Sequence, residues 1–250
     1  PGGRFDADSL RAAIRGGDIH SPKSRMVVAE NTHNRGGGTV WSLEEFKAVA
    51  REAREASLHL HVDGARLANA AVAAGYSMRD FASEARSVSL CFSKGLGCPV
   101  GRALAGPRDW IERARRFRKM FGGGMRQSGL LAAAAIWALD HHIDRLASDH
   151  ANARRLAEGL REVDGLALEI EPKAIPTNMV FFRVDPRIGT ARDAAFRLAE
   201  RGVRLIPMGP QRLRAVTHLD VSESDIDRAI EIIREALRAV PQAAARAGHQ

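Results

Sequence analysis

The stretch LHLHVDGARLANAAVAA (Leu58–Ala74), with SVSLCFSKGLG (Ser87–Gly97) beyond it, decides the fold of this chain. Leu58 to Val62 is an apolar run of strand length that stops at Asp63-Gly64, and the alanine-rich Ala65 to Ala74 that follows has the composition of a helix. Ser87 to Phe92 is a second such run and stops at Ser93-Lys94-Gly95. Strand, helix, strand is the signature of an α/β fold with a mainly parallel sheet. Such sheets keep their ligands beyond the carboxyl ends of the strands, so Asp63 and Lys94 are the first candidates for chemistry.

Outward from this segment the same rhythm continues. Upstream stand a short helix near Asp8 to Arg15 and a strand from Met26 to Ala29 that runs into Glu30-Asn31-Thr32-His33-Asn34. Ser42 with Glu45 three residues on matches the capping box, so a helix is expected from there to about Ala56. Downstream, Val100 to Ala105 reads as a strand after the turn at Cys98-Pro99, and helices are expected at Pro107–Phe121, Gln127–His141 and Ile143–Arg161. The last third changes character. Short strands at Leu166–Ile170, Met179–Val184, Val203–Ile206 and Arg214–Thr217, with helices at Ala191–Arg201 and Ser222–Ala239, indicate a smaller α+β domain. The expected division is 1–150 for the large domain and 151–250 for the small one.

Composition narrows the function classes. The chain has 250 residues, 45% of them apolar, enough to bury a sizeable core. No stretch approaches the ~20 apolar residues of a membrane span, and the first residues lack the apolar run of a signal peptide, so a cytoplasmic location is expected. The net charge of +8 raises the question of nucleic acid, but the cations are interleaved with Asp and Glu, the pattern of a solvated surface. Neither nucleic acid nor membrane is expected as a partner. Cys91 and Cys98 have no second spaced pair, so free thiols are expected and no metal site.

An acid and an amine at the ends of successive strands suit pyridoxal 5'-phosphate: the carboxylate keeps the pyridine nitrogen protonated, and the amine forms a Schiff base with the aldehyde. Taken singly, Asp-Gly is most often a turn and Lys-Gly a surface loop. Their joint context decides. HVDGARLANA (His61–Ala70), SVSLCFSKGLGCPVG (Ser87–Gly101), RKMFGGGMRQSGLLAAAA (Arg118–Ala135), RLRAVTHLDVSESDI (Arg212–Ile226) and DIHSPKSRMVVAENTHNRGGGTV (Asp18–Val40) together resemble the low-specificity L-threonine aldolases. Those are pyridoxal-phosphate enzymes of the aspartate-aminotransferase-like fold type I, within the beta-eliminating lyase/threonine aldolase family.

The resemblance implies a retro-aldol cleavage of L-threonine or L-allo-threonine to glycine and acetaldehyde. It makes Lys94 the cofactor-bearing lysine and Asp63 the partner of the ring nitrogen, and it puts Arg66 at the cofactor's edge or on the substrate carboxylate. Arg214 becomes the carboxylate clamp, His20 the group near the β-hydroxyl, and His33 a weaker candidate for substrate contact. Ser93 is implied as a phosphate ligand. Lys119 and Arg126, flanking Gly122-Gly123-Gly124, are implied to reach the phosphate of a neighbouring subunit, which makes the protein a homodimer or homotetramer with shared active sites.

The family pattern also includes an N-terminal portion with the main phosphate loop and a ring stacked on the cofactor. Neither is found here, so the chain is read as N-terminally truncated and its isolated polypeptide as a weak cofactor binder. The alternatives are another fold-type-I lyase, β-eliminating or serine-hydroxymethyltransferase-like, and a non-catalytic basic binding protein on the same scaffold.

Overall fold

A computed structural model describes residues 2–17 and 19–237 and divides the chain into two compact units, Pro1–Ala147 and Ser148–Gln250. Asp18 and the last residues of the helix expected to reach Ala239 lie outside the described residues.

The first unit runs α1 (Ala7–Ala13), β1 (Met26–Glu30), α2 (Leu43–Glu55), β2 (His59–Gly64), α3 (Leu67–Ala74), α4 (Met78–Ala82), β3 (Ser87–Cys91), β4 (Arg102–Ala105), α5 (Arg108–Met120) and α6 (Gly129–His141). Its four strands lie in the order β1-β2-β3-β4, with β1, β2 and β3 parallel and β4 antiparallel at the edge. The sheet is therefore mainly parallel, as the strand–helix–strand pattern required.

Alternation sorts the side chains of this sheet onto two faces. Val27, Ala29, Leu60, Val62 and Val88 share one buried face and pack with Phe46, Val49, Ala50 and Ala53 of α2. An aromatic relay extends that core: Phe5 meets Trp41 edge-on at 5.2 Å, Trp41 meets Phe46 at 6.0 Å, and Phe46 stacks on Phe81 at 4.0 Å. The capping box of α2 is formed, with Ser42 Oγ accepting from the Glu45 N–H and the Glu45 carboxylate accepting from the Ser42 N–H. The opposite face carries the register-matched row Glu30, Asp63 and Ser89, and one turn of pleat earlier Val28, His61 and Ser87. Sequence patterning thus assigns the apolar face to the core and leaves the polar face for the site.

The second unit begins within α7 (Leu146–Arg161) and adds β5 (Leu166–Leu168), a 3-10 turn at Pro172–Ala174, β6 (Met179–Val184), α8 (Ala191–Ala199), β7 (Ile206–Pro207), β8 (Arg212–Val216) and α9 (Glu223–Ala236). Its sheet is wholly antiparallel in the order β5-β6-β8-β7. Leu156, Leu160, Phe182, Leu198, Leu213 and Ile233 form its core. Several boundaries differ from the sequence reading, among them those of β4, β5, α7 and β8. The strand expected at Val203–Ile206 is instead Ile206–Pro207, because the Val203 N–H still bonds the Leu198 carbonyl in the turn that closes α8. α4 was not anticipated; it is five residues long, below the length at which periodicity is readable.

His150, only 4% exposed, sits in α7 with its Nε2 unpaired. Burial, helped by the charge of Arg154, pushes its imidazole down to about 4. The folded state therefore binds the proton less well than the unfolded chain, whose histidine titrates near 6.5. The stabilisation from keeping His150 neutral is complete above about pH 6.5 and is lost as pH falls towards 4. Chemical denaturation at pH 7.5, 6, 5 and 4 should show a loss on the order of 2–3 kcal/mol, and His150→Asn should flatten that slope; an equally steep slope in the variant would contradict the assignment.

Candidate active site

The site is built where β2 and β3 end. Parallel pairing sets Asp63 against Glu30 on one side and Ser89 on the other. The Asp63 backbone carbonyl accepts from the Asn31 N–H, and its Oδ1 accepts from the Ala65 N–H at 3.1 Å, which fixes the carboxylate over the start of the next turn. Asn31 in turn is tied to the core: its Nδ2 donates to the Tyr76 hydroxyl at 2.9 Å, and that hydroxyl donates to the Trp41 carbonyl at 3.2 Å. Burial carries the Tyr76 phenol up to about 12, so it stays a neutral donor. Arg66 is the N-cap residue of α3 and is half-buried.

Lys94 stands on a tight loop after β3. The Gly97 N–H bonds the Lys94 carbonyl, the Cys98 N–H bonds the Phe92 carbonyl, and the Phe92 N–H bonds the Gly101 carbonyl. Gly97 takes a φ of 73°, which a side chain would strain, and this lets the chain reverse into β4. Loss of water around the Lys94 ammonium lowers it below the ordinary lysine range, and the positive charge of Arg66 adds to the effect. Cys91 and Asp63 pull in the other direction, and Arg102 lowers it further. The amine is thus biased towards its neutral, nucleophilic form.

Asp63 and Arg66 thus both act electrostatically on Lys94. Ser93 Oγ lies 3.4 Å from Cys91 Sγ. His33 is held close to this strand end but by local bonds: its Nδ1 accepts from the Gly36 N–H at 3.0 Å and its Nε2 lies 3.5 Å from Glu30. His20 occupies an exposed turn, and Lys119 and Arg126 are exposed at the end of α5 and in the loop before α6. None of these three is drawn to Lys94 within the first unit by a described contact.

In the second unit Arg214 lies half-buried in β8, between Phe181 of β6 and Ile206 of β7, and burial lowers its guanidinium. Arg212, on the same face, is already engaged by Glu169 through two bonds of 2.7 Å.

Two groups at the site were not singled out from sequence. Arg102 is paired with Cys91 across β3 and β4, and its charge acts on both Lys94 and His61. His61, hydrogen-bonded to Ser87 Oγ at 2.7 Å, lies on the same face as Asp63 and is kept below its ordinary value mainly by burial. The turn at Cys98-Pro99 carried the signal for Arg102, since a reversal there folds it back onto the strand that precedes Lys94.

The residues fit pyridoxal 5'-phosphate in the part they supply. Asp63 is a fixed carboxylate, Lys94 an amine lowered by its surroundings, and the two sit on adjacent strand ends with a guanidinium between the strand and the helix that follows. Among the described residues no group of three or more His, Cys, Asp or Glu is arranged to hold a metal.

Residues 1–185 match the family model described as beta-eliminating lyase. The chain is 42% identical over 224 residues to the low specificity L-threonine aldolase of Escherichia coli (strain K12), covering 90% of this chain and 64% of that protein. It is 38% identical over 238 residues to low-specificity L-threonine aldolase 1 of Arabidopsis thaliana, covering 94% and 66%. The chain thus spans a little under two thirds of the length of these relatives. In structure it resembles the threonine aldolase of Leishmania major, with a TM-score of 0.73 at 22% identity over 95% of this chain and 68% of that one. The fold is therefore that of the fold type I enzymes, and the chain belongs to the beta-eliminating lyase family.

Proposed function

We propose that this chain carries the lysine-bearing part of a pyridoxal-phosphate-dependent aldolase that cleaves L-threonine or L-allo-threonine to glycine and acetaldehyde. The observation that carries the reading is the placement of Asp63 at the end of β2 and of Lys94 on the loop that follows β3, its parallel neighbour. The names of the E. coli and Arabidopsis relatives supply the reaction. Bound here, the cofactor would supply an electron sink for the pair released when the Cα–Cβ bond breaks.

The chain's own residues take the remaining tasks. Lys94, lowered by burial and by Arg66, offers an unprotonated amine at neutral pH more readily than a surface lysine does. Asp63, whose Oδ1 accepts from the Ala65 N–H, would hold a proton on the ring nitrogen by its negative charge. Arg66 and Arg214 are the proposed partners of the substrate carboxylate, a task suited to a planar, two-pronged cation. His20 is the proposed acceptor of the β-hydroxyl proton, directly or through water, with His33 second to it because its Nδ1 is already committed to Gly36. Ser93, Lys119 and Arg126 are the proposed phosphate ligands, the last two reaching a neighbouring copy.

That shared arrangement has independent support in the exposed apolar side chains around Lys119 and Arg126. Phe121 is 84% exposed, Leu130 83% and Trp137 59%, a concentration that suits a surface covered by a second copy. We read the protein as a cytoplasmic homodimer or homotetramer. The family description keeps β-elimination as the second reading.

Supplied with pyridoxal 5'-phosphate, the protein should release acetaldehyde from L-threonine; pyruvate and ammonia in its place would favour the eliminating reading. Lys94→Ala should abolish turnover, and Asp63→Asn should lower kcat by on the order of a hundredfold or more with the fold intact; wild-type rates in either would overturn the proposal. Leu130→Arg should shift the sedimentation of the protein towards the monomer. A wild-type protein that is monomeric at every concentration would remove the shared-site assignment of Lys119 and Arg126.

A further inference from the structure

Helix α3 buries Leu67, Ala68, Asn69, Ala70 and Ala71, and Asn69 is the one polar residue among them. It is 1% exposed. Burying an amide costs more than burying a methyl group unless the amide is used, and in this alanine-rich face an alanine or leucine would satisfy packing alone. This amide lies against the loop that carries Lys94. A Cβ built on Gly95 would lie 3.1 Å from Asn69 Oδ1, 3.2 Å from its Nδ2 and 3.0 Å from Leu146 Cδ2. The backbone immediately after Lys94 therefore packs close to the Asn69 amide, and a side chain at position 95 would press on that amide and on Leu146. Beside this contact lies a cavity of about 10 Å³, lined by Arg66, Asn69, Cys91, Gly95 and Leu96 among others, so loop, strand end and helix converge there.

We propose that Asn69 is the positioning residue for Lys94, its buried amide bearing on the Gly95 backbone and fixing where the lysine leaves its loop. Arg66 and Asn69 stand three residues apart at the start of one helix, which places them on one face. One rigid element thereby sets both the cation beside the amine and the surface under its backbone. Asp63 precedes the same helix, so its carboxylate and the lysine loop are held in a common frame. Without the amide the loop relaxes away from that frame, and the Lys94 ammonium regains water and distance from Arg66.

The inference rests on the reading of Lys94 as the reactive amine, but its test needs neither cofactor nor substrate. The groups acting on Lys94 are Arg66 from α3, Asp63 from β2, Cys91 from β3 and Arg102 from β4. Competitive acetylation of the cofactor-free protein from pH 7 to 11, read by mass spectrometry, gives the titration midpoint of each lysine. In the wild type Lys94 should titrate below the ordinary lysine value. In Asn69→Leu, which keeps the branched outline without the amide, and in Asn69→Ser, which keeps polarity but is too short, its midpoint should rise towards the ordinary lysine value, with relative reactivity at pH 8 falling about threefold or more.

Gly95→Ala should give the same rise from the other side of the contact. Retention of the wild-type Lys94 midpoint in whichever of Asn69→Leu and Asn69→Ser keeps the wild-type circular dichroism spectrum overturns the proposal. Absence of acetaldehyde from the wild type, with the Lys94 shift still present in the variants, would instead count against the aldolase reading and leave the role of Asn69 standing.

Discussion

The parallel register of β2 against β3 is the constraint on which the site depends. It is set by apolar alternation: Leu60, Val62 and Val88 must face the core beneath α2, and a slip of one residue would turn them all to the opposite face. Once that face is buried, Asp63 and Ser89 have no choice but the other side. The two strands then deliver an acid and, one loop later, an amine to the same end of the sheet.

Electrostatics at that end are the outcome of opposed terms. Desolvation and the cations Arg66 and Arg102 lower the Lys94 ammonium, while Asp63 and Cys91 raise it, and the lowering terms win. The same pair, Asp63 and Arg102, acts on His61 with opposite signs, and burial again decides the direction. For Lys94 the shift comes from where the backbone places these groups, and a perturbed amine just past a strand end is a candidate for chemistry.

Much of this was legible in the chain before any coordinates. Ser42 and Glu45 announced α2, and the apolar runs ending at Asp63-Gly64 and at Ser93-Lys94 announced β2, β3 and the candidate site. What escaped was non-local or short. Arg102 becomes a neighbour of Lys94 only once β4 is seen to run antiparallel, and β4 itself is exposed at all four positions, so no burial pattern signals its orientation. Asn69 looked like one more residue of an alanine-rich helix; its contact with Gly95 joins elements 26 positions apart in sequence. The start of β7 was misjudged because Val203 and Leu205 have strand-forming side chains while the Val203 N–H remains bonded to the end of α8.

Borohydride reduction of the protein after incubation with pyridoxal 5'-phosphate, followed by peptide mapping, tests the central claim most directly, since it asks which amine the acid of β2 and the loop after β3 have prepared. The chain offers five lysines, Lys23, Lys47, Lys94, Lys119 and Lys173. The account predicts a pyridoxyl adduct concentrated on Lys94 and diminished by Asp63→Asn; an adduct spread over all five, or one indifferent to Asp63, would contradict it.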